Sequence, residues 1–170
     1  GEPASYRGFP PSVSNLIMAL AERAGPGPEG TGDITGIFSV LVAGSDMDEP
    51  VADILRGTLD GHVVLERSIA ERGRFPAIDV VRSVSRSLPD AASGPENAMI
   101  ARARAALGAY GESELMIRAG LYAPGSDPKL DEAVKLFPQL DDFVTKRSSS
   151  VTDSFAILDA ALRVPMRHRS

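Results

Sequence analysis

Apolar residues first recur at helical spacing: Val13, Leu16, Ile17, Leu20 and Ala24 share one face, with Pro10-Pro11 ahead of them and Gly25-Pro26 behind. A stripe bounded in this way predicts a helix. A glycine- and proline-rich loop follows, from Gly25 to Gly32. From Asp33 to Ala43 the spacing changes. Ile34, Ile37, Phe38, Val40, Leu41 and Val42 form a nearly continuous apolar run, the pattern of a strand buried on both faces. Gly44 to Glu49 reads as an acidic turn. A short helix then opens at Pro50, with Val51, Ile54 and Leu55 facing inward. Asp60-Gly61 is a turn, His62 to Leu65 a second buried strand, and Arg67 to Arg72 another short helix ended by Gly73. Strand and helix alternating in this rhythm predict parallel α/β architecture.

Beyond Ser93 only the helical period remains. Ser93 and Glu96 have the spacing of a capping box, followed by Met99, Ile100, Ala103, Leu107 and Tyr110 on one stripe. Asp127-Pro128 opens a further helix with Leu130, Ala133, Val134 and Phe137, and Pro138 predicts a restart before Leu140, Phe143 and Val144. Ser148-Ser149-Ser150 reads as a hinge before a last amphipathic helix carrying Phe155, Leu158 and Leu162. The predicted organisation is an α/β part over residues 1–90, a helical bundle over 91–147, and a hinge with a terminal helix over 148–170.

Composition narrows the function. A net charge of −5 argues against a nucleic-acid partner, whose binding domain would carry a basic excess. The absence of cysteine excludes disulfide frameworks, cysteine zinc sites and thiol nucleophiles. No apolar run is long enough to span a membrane, and no charged-then-apolar leader opens the chain. The histidines, His62 and His168, lie far apart, so no catalytic triad or metal-spaced cluster stands out. The carboxylates Asp46, Asp48 and Glu49 crowd together, as solvated residues before a helix start often do. None of the 16 glycines is followed by lysine, so the phosphate-cradling G-x-x-x-x-G-K-[ST] loop is absent. Periodicity and spacing by themselves stop at an α/β domain with a helical tail.

Four segments carry a resemblance. Arg7-Gly8-Phe9-Pro10-Pro11-Ser12-Val13 resembles the R-G-Y-P-P-S-V segment of type III secretion ATPases. The stretch from Gly32-Asp33-Ile34-Thr35 through Gly44 to Pro50 and on to Leu59-Asp60-Gly61-His62-Val63-Val64-Leu65 is similar to their strand-loop-helix-strand core. Phe75-Pro76-Ala77-Ile78-Asp79-Val80, ending in Ser83-Val84-Ser85-Arg86, looks like the Y-P-A-I-D…S-x-S-R element. Gly125-Ser126-Asp127-Pro128 matches the flagellar branch. The segments run in register from Gly1 to about Arg147 and leave the tail from Ser148 uncovered.

The chain thus resembles the C-terminal portion of a flagellar type III export ATPase, within the rotary F1/V1-like superfamily. The resemblance implies a P-loop NTPase sheet of RecA-like, F1 type followed by an all-α bundle. It also implies a homohexameric ring with nucleotide sites between subunits. Arg86 would be the arginine finger reaching in trans to a neighbour's γ-phosphate, a role suited to a planar, many-donor guanidinium. Phe75 and Pro76 would form the wall against adenine, Phe75 keeping the stacking face of the more usual tyrosine, and Tyr122 would close the other side. Asp46, Asp48 and Glu49 would face a central stalk, steering a basic coiled coil. On residues alone, Arg86 reads as a surface arginine paired with Asp79 or Asp90, Phe75 as a core aromatic, and the acidic loop as a solvated turn.

The implied cofactor is ATP with magnesium, bound mainly by Walker A and Walker B segments expected ahead of Gly1. The chain alone is therefore expected to show no ATP turnover, and its incomplete sheet to promote self-association. The implied partners are the stalk protein, a regulatory subunit and the export substrates, and the implied location is cytoplasmic, peripheral to the inner membrane. An interaction module without a nucleotide role and an ion-translocating synthase subunit are the competing readings.

Overall fold

The computed structural model describes residues 10–42 and 49–163. The chain divides into two compact units, Gly1–His62 and Val63–Ser170. In the first, α1 (Ser12–Ala21) and α2 (Pro50–Thr58) pack together and bury Ala21, Ala52 and Leu55. Pro50 occupies the first turn of α2, where its missing N–H costs no bond. Behind α1, Gly25 at φ +128° exchanges two backbone hydrogen bonds with Ile34, of 2.8 and 2.9 Å, closing the glycine-proline loop. Only glycine takes such a backbone without strain.

The expected buried strand from Asp33 to Ala43 does not form over its described residues. Past the bridge at Ile34 the chain is extended without ladder partners, and Ile37 and Leu41 are 91% and 98% exposed. A strand buried on both faces needs strands at both edges and layers above and below. Among the described residues the sheet has two strands, neither drawn from this run. Of the acidic turn, Asp46 and Asp48 lie outside the described residues, and Glu49 is the extended N-cap of α2.

The sheet pairs β1 (Gly61–Leu65) with β2 (Ile78–Ser85), with α3 (Arg67–Glu71) between them in sequence. It is small and antiparallel, not the parallel layer that the rhythm predicts. The 2.9 Å bond from Glu66 N–H to the Ala77 carbonyl closes the end where the connection leaves β1 and enters β2. That bond joins the residue just after β1 to the residue just before β2, as strands running in opposite directions require. Only Val64 of β1 is buried; Val63 and Leu65 point to its exposed face, correcting the expectation of a strand covered on both sides. The broader architecture stands: a part of an α/β domain followed by an all-helical C-terminal portion.

That portion consists of α4 (Gly94–Arg118), α5 (Pro128–Thr145) and α6 (Val151–Leu162). The capping box at its start is formed, with Ser93 Oγ accepting the Glu96 N–H and Glu96 accepting the Ser93 N–H at 2.7 Å. The Ser93 hydroxyl, and then its backbone N–H, hold the Glu96 carboxyl below its ordinary pKa. Asp127 and Ser150 cap α5 and α6 through their side-chain oxygens. Pro138 does not restart the chain, for α5 runs through it. An internal proline costs a helix about 3 kcal/mol. Here Leu136 and Leu140 on either side of it are among the most buried residues, so core contacts hold the helix together. Ala103 and Ala106 of α4 complete that core with Ala133 of α5 and Leu158 and Leu162 of α6, while Tyr110 stacks on Phe137 at a centroid distance of 3.6 Å.

The link from α4 to α5 turns at Gly120 and Gly125, both at positive φ, and is gathered by one carboxylate. Asp131 accepts the Tyr122 hydroxyl and, at 2.9 Å, the Gly125 N–H. Those two bonds, the Tyr122 hydroxyl first, lower the Asp131 pKa, and the same carboxylate raises that of Tyr122.

Two measurements check this packing. Leu140→Ala, at a site 1% exposed, should lower unfolding stability by about 2–5 kcal/mol in denaturant melts; a change within error would mean that α5 is not seated as described. A carboxylate with a lowered folded pKa stabilises above its unfolded pKa and loses that contribution as pH falls through the folded one. Asp131→Asn should therefore flatten the acid limb of the melting temperature against pH, and Tyr122→Phe the alkaline limb, where the raised phenol finally ionises. Limbs parallel to those of the unaltered protein would refute the Asp131–Tyr122 assignment.

Candidate functional site

Two short segments hold the expected site residues, and an arginine outside the sequence motifs braces each. The first is the turn that enters β2. Phe75 stands there 62% exposed, before a cis peptide bond to Pro76. It is not the core aromatic of the residue-level alternative. Arg74, its neighbour, donates from Nη1 to the Pro76 carbonyl at 2.6 Å and from Nη2 to the Ile78 carbonyl at 2.8 Å. Its Nε donates to Asp141 Oδ1 of α5 at 3.0 Å. Both backbone atoms of the turn are thereby fixed to one guanidinium, itself only 11% exposed and neutralised by the bundle.

The second segment is the far end of β2. Arg86 follows the last strand residue, Ser85, and is exposed. Upstream, Arg104 of α4 donates from Nη1 to the Val80 and Ser83 carbonyls at 2.6 and 3.0 Å, and from Nη2 to the Val81 carbonyl at 2.8 Å. Asp79 accepts the N–H groups of Val81 and Arg82, each at 3.0 Å, and its own carbonyl accepts the Ser83 hydroxyl. Ser83 Oγ in turn accepts the Val64 N–H of β1 at 3.0 Å. Side chains thus supply much of the hydrogen bonding in residues 79–83, and the strand is held by α4 as well as by β1.

Tyr122 is anchored at a different point of α5 from the Phe75 turn. Its hydroxyl is tied to Asp131 in the first turn of α5, whereas Arg74 and the Phe75 turn are tied to Asp141 near the last. Ten residues of helix separate the two anchors, about 15 Å along the axis. Glu49 lies in the other unit, and Asp46 and Asp48 outside the described residues.

A cavity of about 260 Å³ opens between β2 and the three long helices, walled by Val80, Leu107, Phe143 and Phe155 among others. Its walls are almost wholly apolar and Arg104 turns its donors to β2, so it lacks the converging polar groups that orient a polar ligand. Among the described residues no three His, Asp or Glu side chains cluster as a metal site would. Phe75 and Arg86 are both exposed, the one on a braced turn and the other just past a braced strand end. Sequence reasoning singled out Phe75 and Arg86 through resemblance and missed Arg74, Arg104 and Asp141. Their one signal was arginine beside an apolar stripe, Arg104 following core Ala103.

Comparison with known proteins agrees with this division. Residues 1–85 match the family model described as ATP synthase alpha/beta family, nucleotide-binding domain. Residues 93–160 match the T3SS EscN ATPase C-terminal domain. The flagellum-specific ATP synthase of Caulobacter vibrioides is 44% identical over 171 aligned positions, which take in 96% of this chain and 38% of that protein. The assembled ATPase EscN of the enteropathogenic E. coli type III secretion system superposes with a TM-score of 0.87 at 36% identity, over 95% of this chain and 40% of that one. EscN in complex with its central stalk EscO gives 0.80 at 38% identity, again over 95% of this chain and 38% of that one. The chain thus spans about two-fifths of the length of these relatives. With half of its residues in the nucleotide-binding domain model and most of the remainder in the secretion-ATPase C-terminal model, it belongs to the ATP synthase alpha/beta family.

Proposed function

We propose that this protein is the C-terminal part of the ATP-hydrolysing motor of a type III protein export apparatus, of the flagellar kind. The observation that carries the reading is the order of its two modules: a nucleotide-binding segment followed directly by a secretion-ATPase C-terminal domain. A synthase subunit accounts for the first module and a free-standing interaction module for neither.

In this reading the motor is a homohexameric ring, and each chain serves two nucleotide sites. Phe75 offers its ring face to adenine in its own site, on a turn whose carbonyls Arg74 keeps in place. Arg86 reaches from the end of β2 toward the γ-phosphate bound by the adjacent subunit. Its fixed N–H donors meet charge as it spreads over the transferred phosphoryl oxygens. Magnesium, held by parts of the site outside this chain, neutralises the phosphates. With no phosphate loop in the sequence, the chain alone does not turn over ATP. Tyr122, its hydroxyl held by Asp131, closes the other side of the base with its ring face. A central stalk, such as the one EscN has in EscO, is the partner that the acidic residues Asp46, Asp48 and Glu49 would meet. A regulatory subunit and unfolded export substrates complete the partners, at the cytoplasmic face of the membrane.

The decisive test is Arg86→Ala in the intact ATPase. Turnover should fall by about 10³- to 10⁵-fold, while a non-hydrolysable nucleotide still binds within a few-fold of normal. Unchanged turnover would overthrow the finger and favour a module without a nucleotide role. Phe75→Ala should raise KM for ATP by roughly 5- to 150-fold, the equivalent of ~1–3 kcal/mol of stacking, and Phe75→Tyr should leave it nearly unchanged. Equal KM values in all three proteins would remove Phe75 from the base site.

A further inference from the structure

We infer that Arg104 and Arg74 are positioning residues of the nucleotide site, Arg104 setting the finger Arg86 and Arg74 setting the base wall at Phe75. The inference rests on the function proposed above and extends it to groups that touch no nucleotide.

The geometry behind it is asymmetric support. β2 has eight residues and β1 five, so β1 cannot ladder the whole of β2. α4 holds β2 as well, through three bonds from one guanidinium to the carbonyls of Val80, Val81 and Ser83. Ser83 is three residues before Arg86, about 10 Å along an extended strand. Asp79 and the Ser83 hydroxyl add local bonds within residues 79–83, and Ser83 Oγ also accepts the Val64 N–H of β1. A planar fork addresses three carbonyls from one atom cluster; a lysine ammonium on a flexible stem does not reproduce that fixed pattern. Arg74 repeats the device one turn earlier. Its three bonds tie the Pro76 and Ile78 carbonyls to Asp141, so the Phe75 ring sits on a turn registered against α5. Both site elements are therefore registered on the helical portion, each through a different arginine and a different helix.

The two arginines should leave different kinetic signatures. In the intact ATPase, Arg104→Gln should lower kcat by up to ~10²-fold, the cost of a misplaced catalytic group, with KM for ATP little changed. Arg74→Gln should raise KM for ATP by roughly tenfold with a smaller loss in kcat, and Asp141→Asn should follow it in the same direction, the two changes being non-additive as partners in one contact are. The critical comparison uses an Arg86→Ala background. A residue that acts through the finger has nothing left to position there, so Arg104→Gln should lower kcat no further. An equal loss in both backgrounds, or a normal kcat in Arg104→Gln alone, would overturn the inference. Arg163→Ala, which removes an exposed helix pair on α6, is the control for loss of an arginine and should behave as the unaltered protein. Where Arg104→Gln fails to fold, Arg104→Lys keeps the charge and loses the fork; full kcat in that variant likewise overturns the inference. Normal turnover in Arg86→Ala would instead strike at the finger itself, so the two failures are separable.

Discussion

Three carbonyl oxygens of β2 turn toward α4, and one guanidinium meets them all. Much of the second unit depends on that contact. A two-stranded sheet is marginal in water and needs a layer packed against it. Here the layer is the helical portion, and Arg104 is a polar tie between them, beside a cavity that Val80 lines together with residues of the helices. Each carbonyl left without a donor in a partly buried place costs about 1–3 kcal/mol, so the arginine prevents a loss larger than the net value of its bonds. The stem of the same side chain lines the apolar cavity while its head addresses the strand, a division of labour common to long cationic side chains.

Arg74 shows why one such tie is insufficient. A strand fixed at its middle still pivots at the turn by which it is entered. The pair of Arg74 with Asp141 closes that turn against α5, in surroundings wet enough to hold both charges yet restricted enough to orient them. The ordinary exposed pairs on these helices, such as Arg67 with Glu71 and Arg163 with Asp159, lack this second set of backbone acceptors and contribute little to the fold. What separates the two classes is what else the guanidinium touches.

Local features were legible in the sequence. The capping box at Ser93 and Glu96, the helix starts at Asp127-Pro128 and Pro50 and the stripes of α4 to α6 all depend on residues a few positions apart, whereas Ser150, expected only as part of a hinge, caps α6. The strand expected from Asp33 to Ala43 was not, because an apolar run fixes only a preference for burial and cannot say whether neighbours exist to cover it. Pro138 misled for the converse reason: a local rule against helix was overridden by the burial of Leu136 and Leu140. Phe75 and Arg86 were legible only through resemblance. Arg74 and Arg104 were invisible even so, since a side chain reaching backbone carbonyls twenty or more residues away, as Arg104 does, leaves no period and no motif.

The exposed apolar residues follow from the same geometry. Val63 and Leu65 point away from the face that buries Val64, and the Phe75 ring stands clear on its braced turn. A lone sheet face of this kind is costly in water, and soluble proteins keep such patches small unless something covers them. The rigidity of the opposite face is what makes the open one usable. In the function proposed above, the ties of β2 and its entry turn to α4 and α5 leave Phe75 and Arg86 little to rearrange on meeting a base or a phosphate. Preorganisation of that sort lets an arginine contribute to a transition state rather than to its own ordering. In that reading the arginine ties and the site groups they support form one constraint, and a change in either is felt through the other.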